Sequence, residues 1–339
     1  MKFLVALATL IALSAGSAIP LVPGDNSHYV EGESRYIWMP DGEGKPHLVD
    51  LHEPVDERAI ARNGANNQYW LYTRENPSNA QIIVHGNVNS ITSSNYRANR
   101  GLKVIVHGWN NNGNTAMNPL ITSAFLAVQD VNVIVVDWQS LANSNYLTAS
   151  NGVPGIGQFL GNFLVWLIST AGGDWNNVHL VGFSLGAHVV GNAGRQAGGR
   201  PARVTGLDPA GPLWGGNSLA LNANAGQYVE AIHTDGGLLG IFDRIAHGDF
   251  IPMVVEILSL VAGSVRVHMA ELLNSLHPVF AQTTSWPGNA VVHKKQRITN
   301  ALATPLIWAM ALFLNAAMEY SVFAQAPAGL FNTLTIVSK

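Results

Sequence analysis

A chain of 339 residues with a net charge of −3, 12% charged and 47% hydrophobic residues, can bury a sizeable core and is too apolar to stay disordered. It has no run of lysine and arginine, which argues against a nucleic-acid partner and against a polybasic membrane patch. Cysteine is absent, an unusual state for a protein whose first residues direct it to an oxidising compartment.

Those first residues, Met1 to Ala18, combine Lys2, an apolar run from Phe3 to Leu13 and a small-residue stretch ending at Ala18. They read as a secretory signal peptide cut after Ala18, and the apolar run is too short to span a bilayer. Residues 19–66 are polar, with Pro, Gly and scattered charge, and show no clear period. This stretch reads as a leader wrapping a catalytic domain at 67–339.

Gln68 to Arg74 alternates aromatic and polar residues as a strand does, and Gln81 to Val84 is a second short strand. Leu102 to His107 is a β-branched strand that runs into Gly108-Trp109 and the loop Asn110 to Thr115. Val131 to Val136 is another, ending at Asp137. Asn118 to Gln129 and Gly157 to Thr170 have helical spacing. Strands alternating with helices predict an α/β fold around a largely parallel sheet with both faces covered.

The stretch from Val178 to Arg195 carries the chemistry. A short apolar strand to Phe183 turns through Gly182-Phe183-Ser184-Leu185-Gly186 into a helical segment, which sets Ser184 at the apex of a strand-to-helix turn. A serine there projects its hydroxyl away from the backbone, while glycines two positions to either side let neighbouring chain pack closely. Ser184 is therefore the candidate nucleophile; as a bare pattern, Gly-X-Ser-X-Gly is also a flexible turn. Farther on, Arg203 to Leu207 is a strand that delivers Asp208, beside Pro209, to the carboxyl edge of the sheet. Alone this is a turn; one strand after the serine it becomes a candidate orienting acid.

Seven stretches in order, LYTREN, KVIVHGW, VVDW, HLVGFSLGAHVVGNAGR, VTGLDPAGPLW, YVEAIHTDGGLLG and HGDF, cover Gln68 to Phe250. Over that span the chain resembles the pancreatic-type neutral lipases, including their insect digestive and phospholipase A1-like members. The resemblance implies an α/β-hydrolase fold and a Ser-His-Asp ester hydrolase, with Ser184 as nucleophile and Asp208 as acid. It also implies an oxyanion hole made by the backbone N–H groups of Trp109 and Leu185. No cofactor is implied, the expected partner is a lipid substrate at an interface, and neither colipase nor a C-terminal β-sandwich domain is expected. The loop after Asp208 has no carboxylate before Glu230, so no metal, calcium in particular, is expected there. The order Ser, Asp, His places the catalytic histidine after Asp208, which leaves His85, His107 and His188 with structural roles.

After Phe250 the resemblance stops, and the chain reads IPMVVEILSLVAGSVRVHMAELLNSLHPVF where the family has YPNGG, a short lid and the histidine. Taking the last base of each codon with the first two of the next, Phe250 to Glu256 permits Tyr-Pro-Asn-Gly-Gly-Arg, and Ser264 to Ala290 permits a CSCAHGR stretch. Met253 before Val254, Met269 before Ala270 and Trp308 before Ala309 each force glycine in that frame. Residues 251–318 therefore read as an out-of-frame translation, and YSVFAQAP from Tyr320 resembles the family's closing strand again. The apolar run Ala301 to Met318, interrupted by Pro305 and Asn315, then follows from the shift; otherwise it reads as a buried helix. His268 lies within one residue of the shifted-frame histidine and is the named candidate base, ahead of His277 and His233. Two functions are carried: a secreted lipase acting on glycerolipid acyl esters, and a catalytically impaired lipid-binding or storage protein on the same fold.

Overall fold

The computed structural model describes residues 22–251. The signal peptide, the stretch read as out of frame, His268, His277 and the question of a β-sandwich domain lie outside the described residues.

The leader expected before residue 67 is instead part of the domain. β1 (Tyr36–Pro40) pairs antiparallel with β2 (Pro46–Asp50), and Ile37, Met39 and Val49 are buried in the main core. The inward set is only three residues long and is flanked by Pro, Gly and charge, so its period of two is hard to see in the sequence. A short helix, α1 (Glu57–Arg62), leads from the hairpin to the sheet.

The sheet is built from β3 (Gln68–Tyr72), β4 (Gln81–Ile83), β5 (Gly101–Val106), β6 (Val131–Asp137), β7 (Val178–Phe183), β8 (Arg203–Leu207), β9 (Tyr228–Ile232) and β10 (Gly248–Phe250). Its spatial order is β10-β9-β8-β7-β5-β6-β3-β4. The six strands from β10 to β6 run parallel, and β3 and β4 close one side antiparallel. The central strands are near-continuous apolar runs because both of their faces are covered.

α2 (Val88–Thr92) and α4 (Gln139–Ala142) are single-turn connectors. α3 (Met117–Val128) covers one face, where Ile121 and Phe125 pack with Ile105 and Val133. α5 (Tyr146–Ala171) and α6 (Leu185–Gln196) lie together on the other. The sequence pattern places α5 only from Gly157, because Gly152, Pro154 and Gly155 obscure its first turns; Asn145 caps it by accepting from the Thr148 amide at 2.8 Å. By length and composition α5 could cross a membrane, but Ile156, Leu160, Phe163, Leu164 and Leu167 are all fully buried in the core.

These features are those of an α/β-hydrolase fold. From β5 the chain moves outward to β6, then returns across the sheet to β7 and continues through β8 and β9 in the opposite direction. The strand order thus reverses between β5 and β7, and open α/β sheets bind their ligands outside the carboxyl ends at such a point.

Candidate active site

Ser184 stands at that point. It follows β7 and precedes α6, with φ 54° and ψ −122°, a left-handed conformation that costs a non-glycine residue on the order of 1–3 kcal/mol. The turn closes this tightly only because of its glycines: a Cβ on Gly182 would overlap the Gly186 carbonyl, and one on Gly186 the Val106 and His107 carbonyls. The Ser184 amide donates to the Leu207 carbonyl at 3.0 Å, which ties the turn to the end of β8.

The end of β5 lies against the same turn. A Cβ built on Gly108 would be 3.0 Å from the Ser184 Cβ, so only glycine lets the His107-Gly108-Trp109 segment approach. Neither the Trp109 amide nor the Leu185 amide donates to another described residue. Downstream, the Asn110 amide donates to the Ala142 carbonyl at 2.9 Å and the Trp109 indole N–H to the Ser144 carbonyl at 2.9 Å. A cavity of about 250 Å³ opens beside Trp109, lined by His47, Asn110, Asn143 and Tyr146 among others. Sequence reasoning missed it, since its walls come from the N-terminal hairpin, the loop after β5 and the start of α5.

Asp208, on the residue after β8, is also left-handed, with φ 45°. Its amide donates to the Ile232 carbonyl at 2.8 Å, and its Oδ1 accepts from the Thr234 amide at 2.9 Å and the Asp235 amide at 2.8 Å. Burial pushes the carboxyl up from the usual range, and the Asp235 and Thr234 hydrogen bonds oppose that shift. The structure therefore brings Ser184, the two amides and Asp208 to three neighbouring strand ends. Among the described residues only Asn110, Ser184, Asp208 and Leu213 are non-glycine residues at positive φ, so three of the four cluster at this site or next to it.

The Lipase family pattern matches residues 38–253, well over half of the chain. The chain belongs to the Lipase family. It is 36% identical over 195 residues to pancreatic triacylglycerol lipase of Mus musculus, covering 55% of this chain and 42% of that one. It is 35% identical over 217 residues to pancreatic lipase-related protein 2 of Rattus norvegicus, covering 61% and 46%. The chain thus spans less than half the length of these relatives. Among solved structures it is similar to an acetyl xylan esterase from Aspergillus awamori, at 17% identity, TM-score 0.27, and 44% and 50% coverage.

Within this lipase domain four histidines before residue 251, His85, His107, His188 and His233, are held in packed or hydrogen-bonded surroundings. His188, fully buried in α6, stacks on Trp214 with centroids 4.1 Å apart. Its Nε2 donates to the Ala210 carbonyl at 2.9 Å while its Nδ1 accepts from the Leu221 amide at 3.0 Å. Burial pushes its pKa down to about 3, so the ring is neutral. His233, a minor candidate for the base, is buried with Nδ1 at 2.6 Å from the Ile241 carbonyl and Nε2 at 2.9 Å from Asp249 Oδ1. With both ring nitrogens engaged, it is not free to take a proton from Ser184. His85 packs against Phe163 and Trp166, and His107 is fully buried. Among the described residues no group of three or more His, Asp or Glu is placed to hold a metal.

Proposed function

We propose that this member of the Lipase family is a carboxylic ester hydrolase that cleaves glycerolipid acyl esters through a serine acyl-enzyme. The observation that carries the reading is the strained Ser184 turn with two uncommitted amides beside it. Ser184 Oγ attacks the ester carbonyl carbon, and its proton passes to a histidine. The Trp109 and Leu185 amides hold the oxyanion where negative charge develops. The C–O bond then breaks, the leaving alcohol takes the proton from the histidine, and water releases the fatty acid by the reverse sequence. Asp208, held by the Thr234 and Asp235 amides on Oδ1, orients the imidazole. The relatives carry lipase names, and none of them favours the lipid-binding alternative.

A serine-reactive phosphonate tests this. The protein with its reading frame restored is expected to label at Ser184, and Ser184→Ala in it is expected to lose both labelling and ester hydrolysis; hydrolysis unchanged in Ser184→Ala would overturn the reading. Triacylglycerol and phospholipid vesicles, assayed in parallel, identify the ester class.

The histidine falls in the stretch read as out of frame. The family match ends at residue 253, and the forced glycines after it support one base lost near the Phe250 codon with a compensating gain near Glu319. Sequencing the transcript across codons 248 to 322 decides: a restored frame supplies the family's histidine, and an intact frame leaves His268 as the base to test. Export through the signal peptide is proposed on Met1 to Ala18; a mature N-terminus other than Ile19 on secreted protein would count against that cleavage site.

A further inference from the structure

We infer that His107 is a positioning residue that aims the Trp109 amide at the oxyanion. The inference rests on the acyl-transfer reading of Ser184 and adds to it the part that sets the direction of one donor.

The His107 ring is fully buried, with Nδ1 at 3.0 Å from the carbonyl oxygen of Gly108. A carbonyl only accepts, so Nδ1 carries the proton and donates. Nε2 lies 3.2 Å from the Trp138 amide and 3.2 Å from Asp137 Oδ1. Neutral, Nε2 accepts from Trp138; charged, it donates to Asp137. Either way the Nδ1–H to Gly108 is kept.

The consequence lies in the peptide unit. The Gly108 carbonyl and the Trp109 N–H belong to one planar trans group and point in opposite directions. Holding the carbonyl on the side of the ring therefore turns the N–H to the other side. Ser184 lies close by, its Cβ 3.0 Å from where a Gly108 Cβ would be. Glycine at 108 has wide backbone freedom, so without the ring its peptide could rotate and carry the donor away.

The ring is itself held by the end of β6. The Trp138 indole stacks on it with centroids 5.6 Å apart and planes at 14°, and its Nε1 donates to the His107 carbonyl at 2.8 Å. Asp137 Oδ1 accepts from the Gln139 amide at 3.0 Å, which fixes the carboxylate. The oxyanion segment is thus anchored upstream by His107, and downstream by the Asn110 amide and the Trp109 indole.

The test uses the full chain in the reading frame that the transcript establishes. Ring ¹⁵N NMR of His107 is expected to show a protonated Nδ1; a ring protonated on Nε2 alone overturns the inference without reference to catalysis. In hydrolysis of a soluble p-nitrophenyl butyrate, His107→Leu is expected to lower kcat by about 10–100-fold, short of the roughly 100–1000-fold for outright loss of an oxyanion donor, since the amide is misaimed rather than removed. KM is expected to stay within about twofold, as for an interaction made only in the transition state. His107→Asn, whose Nδ2 can stand near the place of Nδ1, is expected to restore most of the rate. Equal loss in both variants, loss that only follows a lower melting temperature, or no loss overturns the positioning role while Ser184-dependent hydrolysis stands. Hydrolysis that survives Ser184→Ala removes the acyl-transfer reading, and the inference with it.

Discussion

Beside Asp208 lies a second carboxyl, Asp235, whose pKa is pushed up to about 7 by burial and by the charge of Asp208. The folded protein therefore keeps a proton that the unfolded chain releases above its ordinary value of 3.8. Because the folded pKa is the higher one, folding loses stability as pH rises from about 4 to about 7, and the full penalty is present above that. Asp235→Asn removes the ionisable group but keeps the backbone amide that serves Asp208. Thermal unfolding at pH 8 is expected to show a gain on the order of 1–2 kcal/mol, discounted for partial exposure, and almost none near pH 3.5. A gain that does not vary with pH would assign the effect to packing. At this scale Ser184 and Asp208 are candidates from the residues themselves, because each sits at a punctuated strand end, whereas the role of Trp109 comes only from the family resemblance. Asp235 is no such candidate, since its character comes from a neighbour 27 positions away in the chain.

The element that holds the nucleophile turn from behind is the pair α5 and α6. They meet through Gly157 and Gly161: a Cβ on the first would fall 2.7 Å from the Val189 carbonyl, and on the second 2.7 Å from the Ala193 carbonyl. Glycine is disfavoured inside a helix by about 1 kcal/mol relative to alanine, and here it is retained for close approach. Gly161→Val is expected to cost at least the 1–3 kcal/mol typical of overpacking, read as a lower denaturant midpoint with an unchanged slope. A change of less than about 0.5 kcal/mol would mean that the helices separate freely. The buried strands β5 to β8 were legible within a residue or so, because β-branched runs between glycines and polar turns have few other solutions. Other residues, Gly152, Pro154 and Gly155, make its first half read as loop. β9 does not read as a strand in the sequence, since Glu230 interrupts its apolar run; that carboxylate is buried and paired with Arg203 at 3.0 Å, a solution that only the folded neighbours reveal.

At the scale of the molecule, the reversal of strand order between β5 and β7 gathers residues 107 to 109, 184 to 185 and 208 onto one edge. Alternating strands and helices were enough to predict the α/β class, while the hairpin of β1 and β2 was not, because its stability comes from a core assembled by later residues. The hydrogen bond from the Ser184 amide to the Leu207 carbonyl makes one contact answer for two functional groups. Any fluctuation that peels β8 from β7 releases the backbone of the nucleophile and displaces the acid in the same event. Exchange of the Ser184 amide proton with deuterium then serves as a clock for that opening. On warming, inactivation is expected to keep pace with this exchange and to precede the global melt, so the protein would lose its chemistry in one step while most of its sheet is still intact. Activity that persists after the Ser184 amide has exchanged freely would uncouple the two.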